Sequence, residues 1–519
     1  MITKNDVVLA KYIDPKFIVK TEGNLSVFMV SAEEIVAVCK KLYFDDRLQL
    51  KTIAASDESG TGSGFRIFYI FGVPSENIFL APVLELKNSQ NFPSITKDIQ
   101  EAAWYEQKIK TFFGLNPAGH PNLQPLLLHG NWPVDKFPLR RNFDWRERPP
   151  MAKNAYHFSE VGGEGIYEIP VGPVHAGVIE PGHFRFSVAG EEIVLLEPKL
   201  GYTHKGTEKL FEVLPLPDKI RLSERVSGDS SFSHSMAFCA ALENLADVAV
   251  PARARYLRVV FSELERLANH LGDTGFIMQD TGYNFGGSNC ARLRELVMRL
   301  ADRLTGSRFL RGVNVLGGVA KDISAESRDQ LLQELAAIRK DFDEVMAIAE
   351  NSSSLLNRLE GAGKLYRQIG IDHGVLGVAA RALGLTRDAR LDYPYAAYND
   401  LKFDPALEND GDVKARFYVR VKEIYSSFVI LEQALGRLPA GEVAVSSPIN
   451  FRKNSWGIGL VEGWRGDIFY FVMTDAAGVV SRVAVRDPSF LNWTVLGYAG
   501  KGNVVPDFPL INKSFNLSY

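Results

Sequence analysis

Apolar and polar residues recur with two different periods along this chain, and the change of period divides it. Gly64–Val73 (GFRIFYIFGV) and Asn77–Leu86 (NIFLAPVLEL) are runs of β-branched and aromatic residues around Gly72-Val73-Pro74-Ser75. They predict two adjacent strands and a turn. Ser31 is placed to cap a helix running through Glu33, Glu34, Ile35 and Val36 to about Tyr43. Over 97–113, Ile99, Ala102, Ala103, Ile109 and Phe113 keep three-and-four spacing, with Glu106 the polar exception, which predicts a helix with one packed face. Around 146–165 the periodicity fades and Pro149-Pro150 and Gly162-Gly163-Glu164-Gly165 appear, a linker composition. Phe184, Phe186 and Val188 then alternate with Arg185 and Ser187, a turn follows at Ala189–Glu192, and Ile193–Leu196 returns, giving two strands. Helical spacing dominates beyond them. Helices are expected at 235–249 and 252–272, split at Val250-Pro251, and at about 288–305, 325–350 and 413–435. In the second of these, Tyr256, Val260, Leu264, Leu267 and Leu271 form one stripe. Strand-like alternation resumes over 455–485. The expected class is α+β: an N-terminal α/β domain (1–147), a linker (148–165), and a mainly α-helical bundle with small β-sheets (166–519).

Composition narrows the function. A chain of 519 residues with 46% apolar residues can bury a large core, and a net charge of −3 gives no reason to expect nucleic acid or an anionic membrane surface as partner. Cys39, Cys239 and Cys290 are far apart, so neither a disulfide framework nor a C-x-x-C metal site is expected, and a cytosolic setting is the default. The N-terminal MITKNDVVLAKYI has charges scattered among its apolar residues and reads as no signal peptide. No apolar run reaches membrane-spanning length, so membrane contact is expected only through partner subunits. Gly286-Gly287 lacks the G-x-G-x-x-G that follows a strand in dinucleotide folds, so any nicotinamide dependence would come from a partner.

Ordered motifs carry a resemblance. Phe92-Pro93-Ser94-Ile95, Ala103-Trp104-Tyr105-Glu106, Phe113-Gly114-Leu115, Gly119-His120-Pro121-Asn122-Leu123 and Pro138-Leu139-Arg140-Arg141-Asn142 follow the order found in the 30 kDa (C-type) subunit of respiratory complex I. The family's E-R has become Glu106-Gln107 here. That resemblance implies a docking domain without a cofactor. Further on, Gly172-Pro173-Val174-His175-Ala176-Gly177, Gly201-Tyr202-Thr203-His204-Lys205-Gly206, the Glu263–His270 helix, Gly411-Asp412 with Arg416, Arg420 and Glu423, Glu462 with Arg465-Gly466, and Asp487–Asn492 resemble the 49 kDa (D-type) subunit and the large subunit of membrane-bound nickel–iron hydrogenases. Fusion of the two parts is typical of formate-hydrogenlyase-type large subunits. The resemblance implies a small partner subunit carrying an iron–sulfur cluster, membrane-arm partners of a complex I-like assembly, and a peripheral place on the cytoplasmic side of the cell membrane.

One segment departs from that pattern. Glu224-Arg225-Val226-Ser227-Gly228-Asp229-Ser230-Ser231-Phe232-Ser233-His234-Ser235 is similar to the hydrogenase motif E-R-V-C-G-x-C-G-F-x-H-S, with Ser227 and Ser230 at the two cysteine positions. At the other end Ser518 falls at the first cysteine of D-P-C-x-x-C, and the second position lies past Tyr519. Nickel and low-spin iron need soft, anionic thiolates, and a neutral hydroxyl cannot bridge two metals, so no metal is expected. In complex I a histidine and a tyrosine hold the quinone headgroup; His175 matches the histidine and Gly228 takes the tyrosine's place. His175 reads either as a quinone or proton partner or as the fixative of a glycine-bounded turn. His234 reads as a proton carrier or as a satisfied helix-start residue, and His204-Lys205 as facing a partner's cluster or as a solvated turn. Asp229 reads as a proton-handling group or a solvated loop carboxylate. Arg465 reads as an anion contact on the old metal cavity or as the ion-pair partner of a carboxylate such as Asp229. A Ser-His-Asp hydrolase built from Ser230, His234 and Asp229 lacks the nucleophile elbow. The expected function is that of a respiratory oxidoreductase subunit. Electrons from a partner cluster would reach a quinone-like acceptor or drive ion translocation; a non-catalytic scaffold is the alternative, and an active hydrogenase is opposed by the lost thiolates.

Overall fold

The computed structural model describes residues 4–14, 16–17, 19–74, 76–154, 156–176 and 179–519. Near the N-terminus, strands β1 (Val19–Glu22), β2 (Leu25–Met29), β3 (Gln49–Asp57), β4 (Phe65–Val73) and β5 (Ile78–Leu86) form one sheet in the order β1-β2-β5-β4-β3, with only β2 and β5 parallel. Strands β4 and β5 are the predicted adjacent pair, and the turn between them includes Ser75, outside the described residues. Strand β4 is apolar on both faces because both faces are covered. Ile67, Tyr69 and Phe71 pack with Ile35, Cys39, Ile109 and Phe113 on one side. Phe68 and Ile70 pack on the other with residues from the C-terminal part of the chain.

Two helix starts in this N-terminal part differ from expectation. Helix α1 spans Ile35–Lys40 and continues as a π-helical turn through Asp45. Ser31 does not cap it; its hydroxyl lies 3.2 Å from the Glu34 carboxylate. Helix α2 spans Ala103–Phe113 after a 3₁₀ turn at Gln100–Ala102, instead of starting at 97. The buried Glu106 carboxylate accepts from the Ile95 amide (2.8 Å) and Thr96 Oγ1 (2.7 Å), which holds the preceding chain in a turn. From 119 to 165 the described residues contain neither helix nor strand.

Strands β6 (Ile166–Val171), β7 (His183–Ala189) and β8 (Glu192–Lys199) form a small antiparallel sheet; β6 was not foreseen. The bundle is built from α3 (Ser231–Ala246), α4 (Ala252–Asp280), α5 (Asn284–Thr305), α6 (Ala325–Ala349) and α7 (Val413–Gly436). Helix α4 is buried along much of its circumference, including Glu263, Arg266, His270 and Asp273. Strands β9 (Trp456–Gly463), β10 (Gly466–Thr474) and β11 (Val480–Arg486) form an antiparallel sheet, and α8 (Phe508–Phe515) brings the chain back towards the bundle. The architecture is α+β, as the periodicities predict. No helix among the described residues is long and apolar enough to cross a membrane.

Phe68 packs at a tilt on Phe471 (centroids 5.1 Å) and Phe79 edge-on against Phe469 (5.9 Å), so the N-terminal sheet lies against β10. Across the same seam Lys51 Nζ meets Asp467 at 2.8 Å, both buried, and Arg486 completes the cluster.

Candidate functional site

The loop Glu224–Ser230 leads into α3, and three distant segments converge on it. The first is the hairpin tip between β9 and β10, a two-residue turn of Trp464 and Arg465 closed by the Gly463–Gly466 pair. A side chain at Gly377 would sit 1.9 Å from the Arg465 carbonyl, so glycine there lets the tip seat against the backbone. The second is the end of α8, where Asn516 takes a left-handed conformation (φ 44°). The third is α4, whose Asn269 donates to the Asp229 carbonyl at 2.9 Å.

Arg465 ties these together. Its Nη1 and Nη2 meet the two carboxylate oxygens of Asp229 at 2.6 and 2.7 Å, a bidentate fork. Nη1 also lies 3.3 Å from Ser227 Oγ and 3.5 Å from Ser230 Oγ, and Nε donates to the Asn516 carbonyl. The guanidinium lies 3.9 Å from the Trp464 ring centre, a cation–π contact that adds to its hold. Arg465 is 5% exposed and Asp229 36%. Burial raises the Asp229 carboxyl, but the adjacent guanidinium outweighs it and leaves the group below its ordinary value, so Asp229 is ionised at neutral pH. The cation and both serine hydroxyls therefore sit where a thiolate cluster would have to gather. This donor set does not suit nickel or iron: it offers two neutral hydroxyls and a guanidinium. Among the described residues no group of three or more His, Cys, Asp or Glu side chains is placed to hold a metal ion.

Ser518 stands apart from the Arg465 contacts. Its amide donates to Ser489 Oγ (3.0 Å) and its carbonyl accepts from Trp493 Nε1 (2.8 Å). His175 belongs to another loop, where Nε2 donates to the Gly182 carbonyl at 2.7 Å and the ring packs near Phe184. His234 is fully buried, with Nδ1 3.0 Å from Tyr470 Oη and Nε2 3.0 Å from Asp487 Oδ2. Asp487 lines a cavity of about 220 Å³ shared with Trp104, Phe112, Phe490, Ser518 and Tyr519, and His204 and Lys205 also line it.

Sequence reasoning missed Glu265. It is buried beneath the start of α3 and accepts from the amides of Phe232 (2.7 Å) and Ser233 (3.1 Å). Burial pushes its carboxyl up to about 7, against those hydrogen bonds, with the nearby Asp229 charge adding to the rise. Helix α3 begins at Ser231 rather than 235 because this carboxylate satisfies amides of its first turn. A second unforeseen feature is the bundle centre. Glu423 meets His270 Nε2 (2.8 Å), Arg266 (3.4 Å) and Arg381, and Arg381 reaches Glu462 (2.8 Å). Arg390 pairs with Asp388 (2.7 Å) and Glu263 (3.2 Å).

Comparison with known proteins agrees with this architecture. Residues 28–149 match the family model for the 30 kDa subunit of respiratory-chain NADH dehydrogenase, and residues 280–456 match that for its 49 kDa subunit. Formate hydrogenlyase subunit 5 of Escherichia coli is 31% identical over 96% of this chain and 89% of its own length. Hydrogenase-4 component G of Escherichia coli is 33% identical over 93% and 85%, respectively. NADH-quinone oxidoreductase subunit 4 of Thermus thermophilus is 32% identical over 68% of this chain and 92% of its own length.

Proposed function

Because the chain belongs to the family of fused 30 kDa- and 49 kDa-type large subunits of complex I-like enzymes and membrane-bound hydrogenases, we propose that it is the large subunit of a membrane-associated respiratory oxidoreductase working without a nickel–iron centre. Electrons arrive from a small partner subunit carrying an iron–sulfur cluster. They pass to a quinone-like acceptor in the cavity beside the Ser227–Ser230 loop, and the rearrangement there is coupled to ion movement in membrane-arm partners. The chain sits peripherally on the cytoplasmic face through those partners.

The observation that carries this reading is the Arg465–Asp229 fork lying between Ser227, Ser230 and the Asn516 carbonyl. A cation bound to a carboxylate at that point serves charge compensation, and it replaces soft metal ligation with a polar lock. The lock joins the loop before α3 to the end of α8, so a change of charge in the adjoining cavity would be felt at both.

The test is metal analysis and reoxidation kinetics of the purified, dithionite-reduced assembly. Nickel is expected at far below one per complex, and a short-chain quinone is expected to reoxidise the partner cluster. Arg465→Gln should slow that reoxidation at least tenfold. Stoichiometric nickel with hydrogen uptake would restore the hydrogenase reading. Full reoxidation in the variant would favour a scaffold.

A further inference from the structure

The pair at His234 and Asp487 differs from a structural ion pair in where it ends. The ring is sealed, 0% exposed, yet its carboxylate partner is 15% exposed and forms part of the cavity wall. Asp487 is oriented by the Ser489 amide, which donates to Oδ1 at 2.7 Å and leaves Oδ2 for His234 Nε2. On the far side of the ring the partner is the buried hydroxyl of Tyr470, 3.0 Å from Nδ1. A phenol can donate to a bare ring nitrogen or accept from a protonated one. The charged imidazole donates to both partners, and the neutral ring is equally satisfied with its proton on Nε2; with Nε2 bare, its lone pair faces the Asp487 carboxylate, which draws a proton back to that nitrogen.

We propose that His234, acting through Asp487 and backed by Tyr470, is the proton reservoir for the acceptor reduced in this cavity. The inference rests on the acceptor reading given above. The partner cluster passes two electrons, one after the other, to a quinone, which becomes a quinol on taking up two protons. One proton leaves His234 Nε2, crosses the Asp487 carboxylate and joins a quinone oxygen; the other comes from water at the cavity mouth. The ring keeps its Nδ1 proton, which donates to Tyr470 Oη, and the unfavourable contact between bare Nε2 and the Asp487 carboxylate drives uptake of a replacement proton through Asp487 once the product has left.

The charges around the pair suit this role. Burial raises the Asp487 carboxyl, but the His234 contact and the Arg465 charge bring it down to about 2, so it conducts the proton without storing it. Asp229 faces Asp487 with like charge, and Cys239 and Glu208 face Tyr470. The Arg465–Asp229 lock and the His234–Asp487 pair are thus electrostatically linked through Asp487.

The experiment follows quinone-dependent reoxidation of the dithionite-reduced assembly from pH 5 to 9, in wild type, Asp487→Asn and Tyr470→Phe. The wild-type rate should fall as pH rises, because the reaction consumes protons. Removing the carboxylate lowers the ring's proton affinity, so in Asp487→Asn that fall should move to lower pH by about one unit or more. Tyr470→Phe should slow the reaction with a smaller shift. Superimposable wild-type and Asp487→Asn profiles would overturn the reservoir while leaving the acceptor reading intact. If the wild-type assembly fails to react with quinone, the acceptor reading falls. The reservoir is then judged by redox-difference infrared spectra of the imidazole: a band shifted by Asp487→Asn supports it, and an unchanged band rejects it.

Discussion

Two places in this molecule are built from arginines and carboxylates, and they behave differently. At the bundle centre Arg266, Arg381 and Arg390 face Glu263, Asp388, Glu423 and Glu462, with every one of these side chains at most 1% exposed. Burial there pushes the Glu462 carboxyl up to about 7, so its protonated form brings three cations and four carboxyls into balance. At the loop a single fork joins a buried Arg465 to an Asp229 that still touches solvent. The first arrangement has no slack, since breaking any contact strands a charge far from water. The second has an exit, because the freed carboxylate can be hydrated. The centre therefore fixes the bundle, and the loop is where a change of charge can be accommodated.

The sharpest attempt to break this contrast is Glu423→Gln. It removes the carboxylate shared by Arg266, Arg381 and His270 and should cost about 3–5 kcal/mol, read as a fall in the urea or thermal midpoint. A cost below about 1 kcal/mol would remove the distinction between the two places. Glu265 offers a third case, a buried carboxyl held by amides and a hydroxyl instead of a cation. Its native pKa is raised to about 7, so between roughly pH 4.5 and 7 the native state holds a proton that the unfolded chain has released. Its contribution is present below that window and is lost as pH rises through it. Glu265→Gln should flatten the profile: the fall in unfolding free energy from pH 5 to pH 8, taken from denaturation curves, should be roughly 1–3 kcal/mol smaller in the variant than in wild type. Arg465→Gln should cost less, about 1–2 kcal/mol after solvent screening of Asp229, and should increase hydrogen exchange over 508–519 because the Asn516 tether is gone. An exposed pair, Arg292 with Asp341 at 2.9 Å, sets the floor: Arg292→Ala should leave the midpoint unchanged within error.

These cases also mark what a sequence can reveal. The helices expected at 252–272, 288–305 and 413–435 and found at 252–280, 284–305 and 413–436 were readable because apolar periodicity is local, although the last two turns of the first were not. The missing thiolates were readable because the loop keeps its neighbours' order around Ser227 and Ser230. The Arg465–Asp229 pair was one of two readings left open, since its members lie 236 positions apart and only the β9–β10 hairpin brings them together. The early start of α3 escaped for a similar reason: its amides are satisfied by Glu265, 32 residues further on, and Ser230, although at the N-cap position, makes no capping hydrogen bond. Asp487 matched a motif, but nothing in the motif announced that it would stand between a sealed histidine and a cavity.

The seam between Lys51 and Asp467 has a consequence for anyone dividing this polypeptide. With the lysine on β3, its partner and Arg486 on the β9–β11 sheet, and Phe68 and Phe79 against Phe471 and Phe469, neither sheet has a finished surface of its own. Expressed as separate fragments, each would expose an oily plate with a stranded charge at its edge, and inclusion bodies are the expected harvest. Kept as one chain, a pull on the amino-terminal sheet is carried directly into the strands that hold Arg465.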